Sequence, residues 1–383
     1  MCFLKLNKKN AGIGMKKCSN ILFAAVLSFF VLALAYGTED ESAKCSIPTS
    51  DNSRIQLMLD SSEADQVLAI LALRYDGKPV DEEQWQKLFA TEPYQRLKKR
   101  EKTIGEQFND PTRAFSDEDF KKFVLSDELL KRAPKLRKTL EQWKKADLYH
   151  PGERDLHYLP ASAMICAKVY PMIKPRINSF VWETSSNPAI FLYLDPEVSR
   201  NKFANTVAHE LHHIGLASIE SGYDQKIAVL PEQARAAAEW ISAFGEGFAM
   251  LAAAGGADVD PHAVSSTKER TRWKHDMANF STDMQSLNAF FLDILNGKFS
   301  NRDSVNQKAS CFFGIQGPWY TVGYKMAIMV EKRFGRKVLI ETMIDPRQLL
   351  ILYNQAAMEQ NAASKKHLPL WSDELLKQVG AIP

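Results

Sequence analysis

Two histidines four residues apart, His209 and His213, constrain the fold more than any other feature of this 383-residue chain. On an α-helix their imidazoles share a face and lie close together, because residues four apart in a helix lie one above the other. Glu210 follows the first histidine directly. The apolar residues of the segment recur at helical spacing, which predicts one buried stripe that holds the helix rigidly: Phe203, Val207, Leu211 and Ile214.

This H-E-x-x-H arrangement is typical of a metal site. Both imidazoles can bind one zinc ion at ~2.0–2.1 Å. Glu210 then lies beside the metal, where its carboxylate can take a proton from an activated water molecule and pass it to a leaving amine. Two histidines on a helix can also be plain surface residues, but three of the eight histidines of the chain fall within five positions here. His212 points away from the pair, so we expect it to support the ligands or to be solvated.

A third metal ligand is needed, because a catalytic zinc ion takes three protein ligands and keeps one position open. Glu232 stands beside Pro231 at a predicted helix start, where a carboxylate also favours the helix dipole. Glu246 lies between Gly245 and Gly247, and glycines on both sides of a helical residue indicate close approach to another element. The residues alone leave four candidates open: Glu220, Glu232, Glu239 and Glu246.

The N-terminal part of the chain has a helical pattern. In residues 52–148 apolar side chains recur at spacings of three and four, which predicts a run of helices that begins with Ile55, Leu57 and Leu59. Ser116 and the acidic residues after it are typical of a capped helix start. Lysine-rich stretches in this region are interleaved with apolar residues, so we interpret them as solvated helix faces.

The pattern changes near residue 161. Apolar runs bounded by turn residues predict strands at residues 164–173, 179–183 and 189–194. Four helices follow, at about residues 197–214, 231–254, 276–295 and 317–335. The chain is therefore predicted to be a helix-rich α+β protein with one small sheet immediately before the helix of the histidine pair. The strand at 189–194 can offer its edge to an extended peptide or lie buried in the core.

The N-terminal segment has the pattern of a secretory signal. Residues 1–35 contain five lysines and no acid, residues 21–35 are apolar apart from Ser28, and residues 33–35 fit an A-x-A cleavage site. Met15 is an alternative start for this segment. An uncleaved membrane anchor is the other interpretation, but the apolar run is shorter than the ~20 residues that span a bilayer. We therefore expect cleavage and export to the periplasm or the medium, with no membrane attachment afterwards.

Charge and cysteine content argue against two kinds of function. The formal net charge is +3, and without the five N-terminal lysines the chain is nearly neutral, so no nucleic-acid partner is expected. Signal cleavage would leave Cys45, Cys166 and Cys311, an odd number that allows at most one disulfide and leaves one thiol. No C-x-x-C spacing occurs, which argues against a cysteine metal site.

H-E-x-x-H at residues 209–213 followed by G-E-G-F-A at residues 245–249 resembles the gluzincins of the aminopeptidase-N type, whose pattern is H-E-x-x-H and then N-E-G-F-A. The resemblance implies a thermolysin-like catalytic core in which Glu246 is the third zinc ligand. The segment P-W-Y-T-V-G-Y at residues 318–324 resembles that family's P-Y-x-x-G-F helix. The tyrosine of that helix donates a hydrogen bond to the tetrahedral oxyanion, which implies the same role for Tyr320.

The chain departs from the aminopeptidase pattern in two places. In that family eighteen residues separate the second histidine from the ligand glutamate, and here that spacing reaches Glu232. We prefer Glu246 because the length of a connecting loop changes easily. The family's G-x-M-E-N strand, which binds the substrate amino terminus, has no counterpart, so aminopeptidase activity is not expected. Residues 160–355 look closer still to a bacterial family known as zinc-dependent peptidases of unknown function.

With the signal segment at residues 1–35, the resemblance implies an exported zinc-dependent peptidase that acts on peptide or protein substrates. Residues 36–160 would form an N-terminal helical region and residues 161–383 the zinc metallopeptidase domain. Glu210 would be the general base. Two other functions stay open, together with the oligomeric state: a non-catalytic binding or scaffold protein that keeps the fold, and a hydrolase of non-peptide amides or esters.

Overall fold

The structure, a computed structural model, describes residues 53–380 except Phe108, Ser185, Glu220, Ser221 and Lys366. The predicted signal segment, Cys45 and the candidate ligand Glu220 lie outside the described residues. Within these residues the chain is predominantly helical with one small sheet, so the predicted helix-rich α+β class is confirmed. None of the described helices is long and apolar enough to cross a membrane.

One four-stranded sheet is formed by segments between residues 55 and 193. Its strands are β1 (Ile55–Leu59), β2 (Ile165–Met172), β3 (Phe180–Trp182) and β4 (Ala189–Tyr193). The order across the sheet is β1-β2-β4-β3, with β1 and β4 parallel to β2, and with β3 antiparallel to β4. β2, β3 and β4 confirm the three predicted strands at residues 164–173, 179–183 and 189–194.

β1 corrects the prediction of helix at residues 55–59. Ile55, Leu57 and Leu59 alternate at a spacing of two, which is the period of a strand. They pair in parallel register with β2, beginning with Ile55 opposite Ile165. Five residues are too few to establish a helical period, and hydrogen bonds to a strand far along the chain decide the conformation. The segment before residue 160 therefore supplies an edge strand of the sheet.

β4 lies inside the sheet and not at its edge. Its residue Ile190 is paired with Val169 of β2 on one side and with Val181 of β3 on the other. Backbone groups on both sides of β4 are therefore used, and its side chains are buried from Ala189 to Leu192. The prediction that residues 189–194 offer an edge to a peptide is wrong, and the alternative of a buried core strand is confirmed.

The described chain forms six helices between β1 and β2. They are α1 (Ser62–Tyr75), α2 (Glu82–Phe89), α3 (Glu92–Gln107), α4 (Asp117–Val124), α5 (Asp127–Trp143) and α6 (Tyr149–Leu156). The predicted capped start at Ser116 is confirmed. Its hydroxyl accepts a hydrogen bond from the Asp119 backbone, and the Asp119 carboxylate accepts one from the Ser116 backbone.

Eleven further helices follow β4 in the described chain. They are α7 (Arg200–Ala217), α8 (Tyr223–Ala228), α9 (Glu232–Ile241), α10 (Gly245–Ala254), α11 (Thr267–Ala278), α12 (Phe280–Leu295), α13 (Arg302–Ser310), α14 (Pro318–Phe334), α15 (Arg336–Ile344), α16 (Arg347–Ala363) and α17 (Asp373–Gly380). α14 confirms the predicted helix at 317–335. The predicted helix at 231–254 is divided into α9 and α10 by a 3-10 turn at Ser242–Phe244 and ends at Gly255, whose φ is 89°. The predicted helix at 276–295 is also two helices, α11 and α12.

α7 lies between two hydrophobic cores. It begins and ends three residues later than the predicted helix at 197–214. Its predicted apolar stripe is at most 1% exposed: Phe203, Val207, Leu211 and Ile214. This stripe packs in one core with residues of the sheet, α1 and α5. On its other side α7 packs against α10, which belongs with α14 to a second core built from α9 to α17. The segment before residue 160 thus packs directly against the helix of the histidine pair.

Two cysteines are described. Cys166 in β2 is disulfide-bonded, which accords with the expectation that at most one disulfide forms. Cys311 is exposed at the end of α13, where its thiol donates a hydrogen bond to the Gln307 carbonyl at 3.5 Å.

Candidate metal centre

Three side chains from two helices converge at one point. His209 Nε2 lies 3.1 Å from Glu246 Oε2 and 3.2 Å from His213 Nε2, and His213 Nε2 lies 3.5 Å from Glu246 Oε2. A tetrahedral zinc ion with bonds of ~2.0–2.1 Å holds its ligand atoms about 3.3–3.4 Å apart. Two imidazole nitrogens and a carboxylate oxygen are also donors that zinc prefers. The three residues therefore fit a zinc ion, and across the described chain they are the one cluster with such geometry.

α7 and α10 set this geometry. Ser199 caps α7, because its hydroxyl accepts a hydrogen bond from the Lys202 backbone at 3.2 Å. The helix then carries His209 and His213 one turn apart on the same face. Glu246 is the second residue of α10 and is only 6% exposed. The tight 3-10 turn before α10 brings this first helical turn to the histidines.

A glycine crossing holds α10 against α14. A Cβ at Gly247 would overlap the backbone of Gly323 and Tyr324, and a Cβ at Gly323 would lie 2.6 Å from the carbonyl oxygen of Phe244. The predicted close approach is therefore confirmed at Gly247. It is wrong at Gly245, where a Cβ would meet nothing within 4 Å.

The other candidate acids lie elsewhere. Glu232, which the aminopeptidase spacing favours, is exposed at the start of α9 and does not belong to the converging cluster. Glu239 is paired with Arg302 of α13 and lies 3.8 Å from Arg235 on its own helix. The structure thus brings Glu246, and neither Glu232 nor Glu239, to the histidines.

The charges of the converging residues are mutually dependent. Burial alone would raise the pKa of the Glu246 carboxyl, but His213 and His209 hold that pKa well below its usual range. Burial lowers the pKa of His209, but the hydrogen bond to Glu246 and the charges of Glu210 and Glu246 raise it overall. The Glu246 carboxylate and the His209 imidazolium therefore favour each other. A cation held by these residues competes with protons for the imidazoles, because histidine binds a metal only in its neutral form.

Glu210 lies beside the converging residues and not among them, as the sequence predicts for a general base. Burial raises the pKa of its carboxyl, His209 and His213 lower it in part, and Glu246 raises it further, so that the net shift is upward. A carboxylate with a raised pKa is a stronger base.

Tyr320, in the first turn of α14, also reaches this centre. Its ring stacks on His209 with the two centroids 6.3 Å apart and the planes 24° apart. Burial, together with the nearby carboxylates of Glu246 and Glu210, raises the pKa of its hydroxyl well above the usual value. The hydroxyl therefore keeps its proton and is a hydrogen-bond donor at the centre.

The burial of His212 contradicts one of the two expectations stated for it. It is completely buried between α7 and α10, where its ring stacks on Phe248 at 6.0 Å. Burial, followed by the neighbouring His213 and His209, lowers its pKa to about 3. The expectation that it is solvated is wrong, and the neutral ring packs behind the converging histidines.

A cleft of about 260 Å³ opens beside the centre. It is lined by α7, α10, the start of α14 and the loops before α11 and α14: Lys202, Asn205, Thr206, His209, Met250, Ala253, Pro261, His262, Gly314, Ile315, Gln316 and Tyr320. The sequence reasoning missed most of these residues because the loops carry no motif. Lys202 and Thr206 could have been found, since they precede His209 at helical spacing on one face.

Lys202 and His262, which both line the cleft, are joined through Ser265 in a hydrogen-bonded chain of three side chains. Lys202 Nζ lies 3.1 Å from Ser265 Oγ and 3.4 Å from Glu269 Oε1. Ser265 Oγ lies 2.9 Å from His262 Nδ1, and His262 is only 1% exposed, with its ring against Trp273. Burial and the charge of Lys202 lower the pKa of His262 to about 4, so its ring is neutral.

The comparisons with known proteins agree with this geometry. A model of the family described as "putative zinc dependent peptidase" (DUF5700) matches residues 85–362, a span that contains His209, His213, Glu246 and Tyr320. No curated protein and no solved structure matches the chain, so the thermolysin-like form of the core stays a prediction. Since the family model covers well over half of the sequence, the chain belongs to the family so described.

Proposed function

We propose that this protein is an exported zinc metallopeptidase that hydrolyses peptide bonds with Glu210 as general base. The observation that carries the proposal is the convergence of His209 Nε2, His213 Nε2 and Glu246 Oε2 at distances of 3.1, 3.2 and 3.5 Å beside an open cleft. A zinc ion held there would polarise the substrate carbonyl and make an attacking water more acidic.

The protein's own residues supply the proton transfers. Glu210 accepts the proton of the attacking water and delivers it to the leaving amine, and its raised pKa suits both steps. The Tyr320 hydroxyl donates a hydrogen bond to the oxygen that becomes negative in the tetrahedral intermediate. Its burial beside His209 keeps this donor in place before the substrate arrives.

Export to the periplasm or the medium is supported by two independent features. The sequence of residues 1–35 has the charge and hydrophobic pattern of a cleaved signal. Cys166 is disulfide-bonded, and disulfides persist mainly in oxidising compartments outside the cytosol.

Two alternative functions remain: a non-catalytic scaffold protein and a hydrolase of non-peptide amides or esters. A scaffold protein has no need of a general base, and Glu210 is present between the histidines with its pKa raised. A hydrolase of non-peptide amides or esters would use the same groups, so only the substrate separates it from a peptidase.

The experiment is activity profiling of the purified mature protein on a peptide library, with and without a chelator. Glu210→Gln keeps the size of the side chain but cannot accept the proton, so we expect about one zinc per chain and at least ~100-fold lower turnover. Glu232→Gln is the matched control, because Glu232 is exposed on α9. Wild-type turnover by Glu210→Gln, or activity that survives chelation, would contradict the mechanism.

A further inference from the structure

We propose that Lys202 binds a carboxylate of the substrate, about three residues from the bond that is cleaved. The inference rests on the proposed function only in placing cleavage at His209, His213 and Glu246. The cleft should select peptides that present a carboxylate at that distance. This carboxylate is either the C-terminus of the peptide or an acidic side chain.

The distance follows from the helix. Lys202 and His209 both line the cleft and stand seven residues apart on α7. At a rise of 1.5 Å per residue, they are separated by about 10 Å along the helix axis. An extended peptide advances ~3.3–3.6 Å per residue, so a group held by Lys202 lies about three residues from the scissile bond.

The charge of the cleft favours an anion. Of the described residues that line it, none is acidic, and Lys202 is the lysine among them. Lys202 also lies in the first turn of α7, where the helix dipole is positive. The nearest acid, Glu269 of α11, is 3.4 Å away with 42% of its side chain exposed and lies outside the cleft wall. Lys202 is therefore the lysine that the cleft presents to a substrate, and its ion pair with Glu269 is partly open to solvent on the acid's side.

The lysine is positioned in a way that an ordinary surface lysine is not. Its side chain is only 19% exposed. Because the His262 ring is neutral, the Ser265 hydroxyl can donate to His262 Nδ1 and accept a hydrogen bond from Lys202 Nζ. An ammonium group has three N–H donors, and the contacts with Ser265 and Glu269 use two of them. One donor is left for a ligand in the cleft, while Ser265 and His262 act as positioning residues.

The test uses pairs of N-acetylated peptides of three to six residues. One set differs only in a C-terminal carboxylate or carboxamide, and the other, with a blocked C-terminus, carries Glu or Gln at successive positions. Binding to zinc-loaded Glu210→Gln is measured by calorimetry, and turnover is measured with the otherwise wild-type enzyme. We expect the carboxylate member to bind about tenfold to a hundredfold more tightly, as for a charge-assisted hydrogen bond. The set that shows this preference identifies the source of the carboxylate.

Four variants and one control test whether the preference depends on Lys202. Lys202→Met should bind both members of a pair equally, with the loss of turnover falling on KM, whereas Lys202→Arg should keep the preference. Ser265→Ala should reduce the preference and Ser265→Thr, which keeps the hydroxyl, should restore it. Lys226→Met, at an exposed position of α8, is the control and should behave as the parent.

The outcomes separate this inference from the proposed function. If peptides are cleaved but acids and amides bind alike, or if Lys226→Met acts like Lys202→Met, the carboxylate site is wrong and the peptidase stands. If acids bind through Lys202 but no peptide is cleaved, the site stands and the peptidase function is wrong. If no peptide binds, both are wrong.

Discussion

At the scale of single residues, Glu246 carries a buried negative charge that two imidazoles stabilise. Its side chain is 8% exposed, and His209 and His213 lie 3.1 and 3.5 Å from it. Removing one partner of a buried ion pair leaves the other charge uncompensated, which lowers the stability of the fold. The carboxylate therefore contributes both a bond and a charge to any cation held there.

The two candidate glutamates, Glu246 and Glu232, should therefore give opposite results when each is replaced by alanine. Glu246→Ala should lose zinc and turnover, because the substitution removes a ligand oxygen and the charge that balances the ion. Glu232→Ala should keep both, since an exposed acid at a helix start is worth only ~0.3–1 kcal/mol of stability. Zinc content after dialysis against one buffered zinc concentration measures the difference. Loss of metal in Glu232→Ala with retention in Glu246→Ala would reverse the assignment.

At the scale of elements, the crossing of α10 and α14 positions Glu246 next to Tyr320. The two helices touch backbone to backbone at Gly247 and Gly323. Any side chain at this point would push the helices apart, and the ligand and the oxyanion donor would separate with them. Gly245, two residues before Gly247, takes no part in the contact.

The crossing predicts that neighbouring glycines respond differently to alanine. Gly247→Ala should destabilise the protein by about 1–3 kcal/mol, as overpacking does, and should weaken zinc binding. Gly245→Ala should be neutral or stabilise by roughly 0.4–1 kcal/mol, because its φ of −53° suits alanine and the space is open. Denaturant unfolding and zinc titration of both variants test this. Equal effects of the two substitutions would mean that the crossing does not position the site.

Local signals explain which elements could be predicted from the sequence. The histidine helix, the capped start at Ser116 and α14 each carry their own caps and periodicity within a few residues. β1 has no such signal, because its five residues become a strand only through pairing with β2 far along the chain. The division between α9 and α10 was missed because the 3-10 turn at Ser242–Phe244 is only three residues long and contains no proline to mark it.

Local signals also explain which residues of the site could be predicted from the sequence. His209, Glu210 and His213 lie in one short motif, and Glu246 and Tyr320 could be found because their surroundings resemble known motifs. Lys202 was missed because it meets Ser265 only when the loop before α11 folds against the start of α7. Pairings of this kind depend on tertiary packing and leave no pattern in the neighbouring residues.

At the scale of the whole molecule, the converging ligands join two cores. The histidines stand on α7, whose stripe packs in the core that contains the sheet, and Glu246 stands on α10 in the core of α9 to α17. An ion bound by both helices therefore connects the two halves of the described chain.

The last prediction is that zinc stabilises the fold as a whole. A ligand that binds only the folded state at 100 times its Kd adds about 2.7 kcal/mol, which raises the Tm of a protein of this size by several degrees. Thermal unfolding followed by circular dichroism, with and without zinc after chelation, measures the shift. His213→Ala should lose the shift, since two ligands from different cores no longer complete the site, whereas Glu232→Ala should keep it. An unchanged Tm on adding zinc to the wild-type protein, or an equal rise in His213→Ala, would show that the ion does not connect α7 to α10.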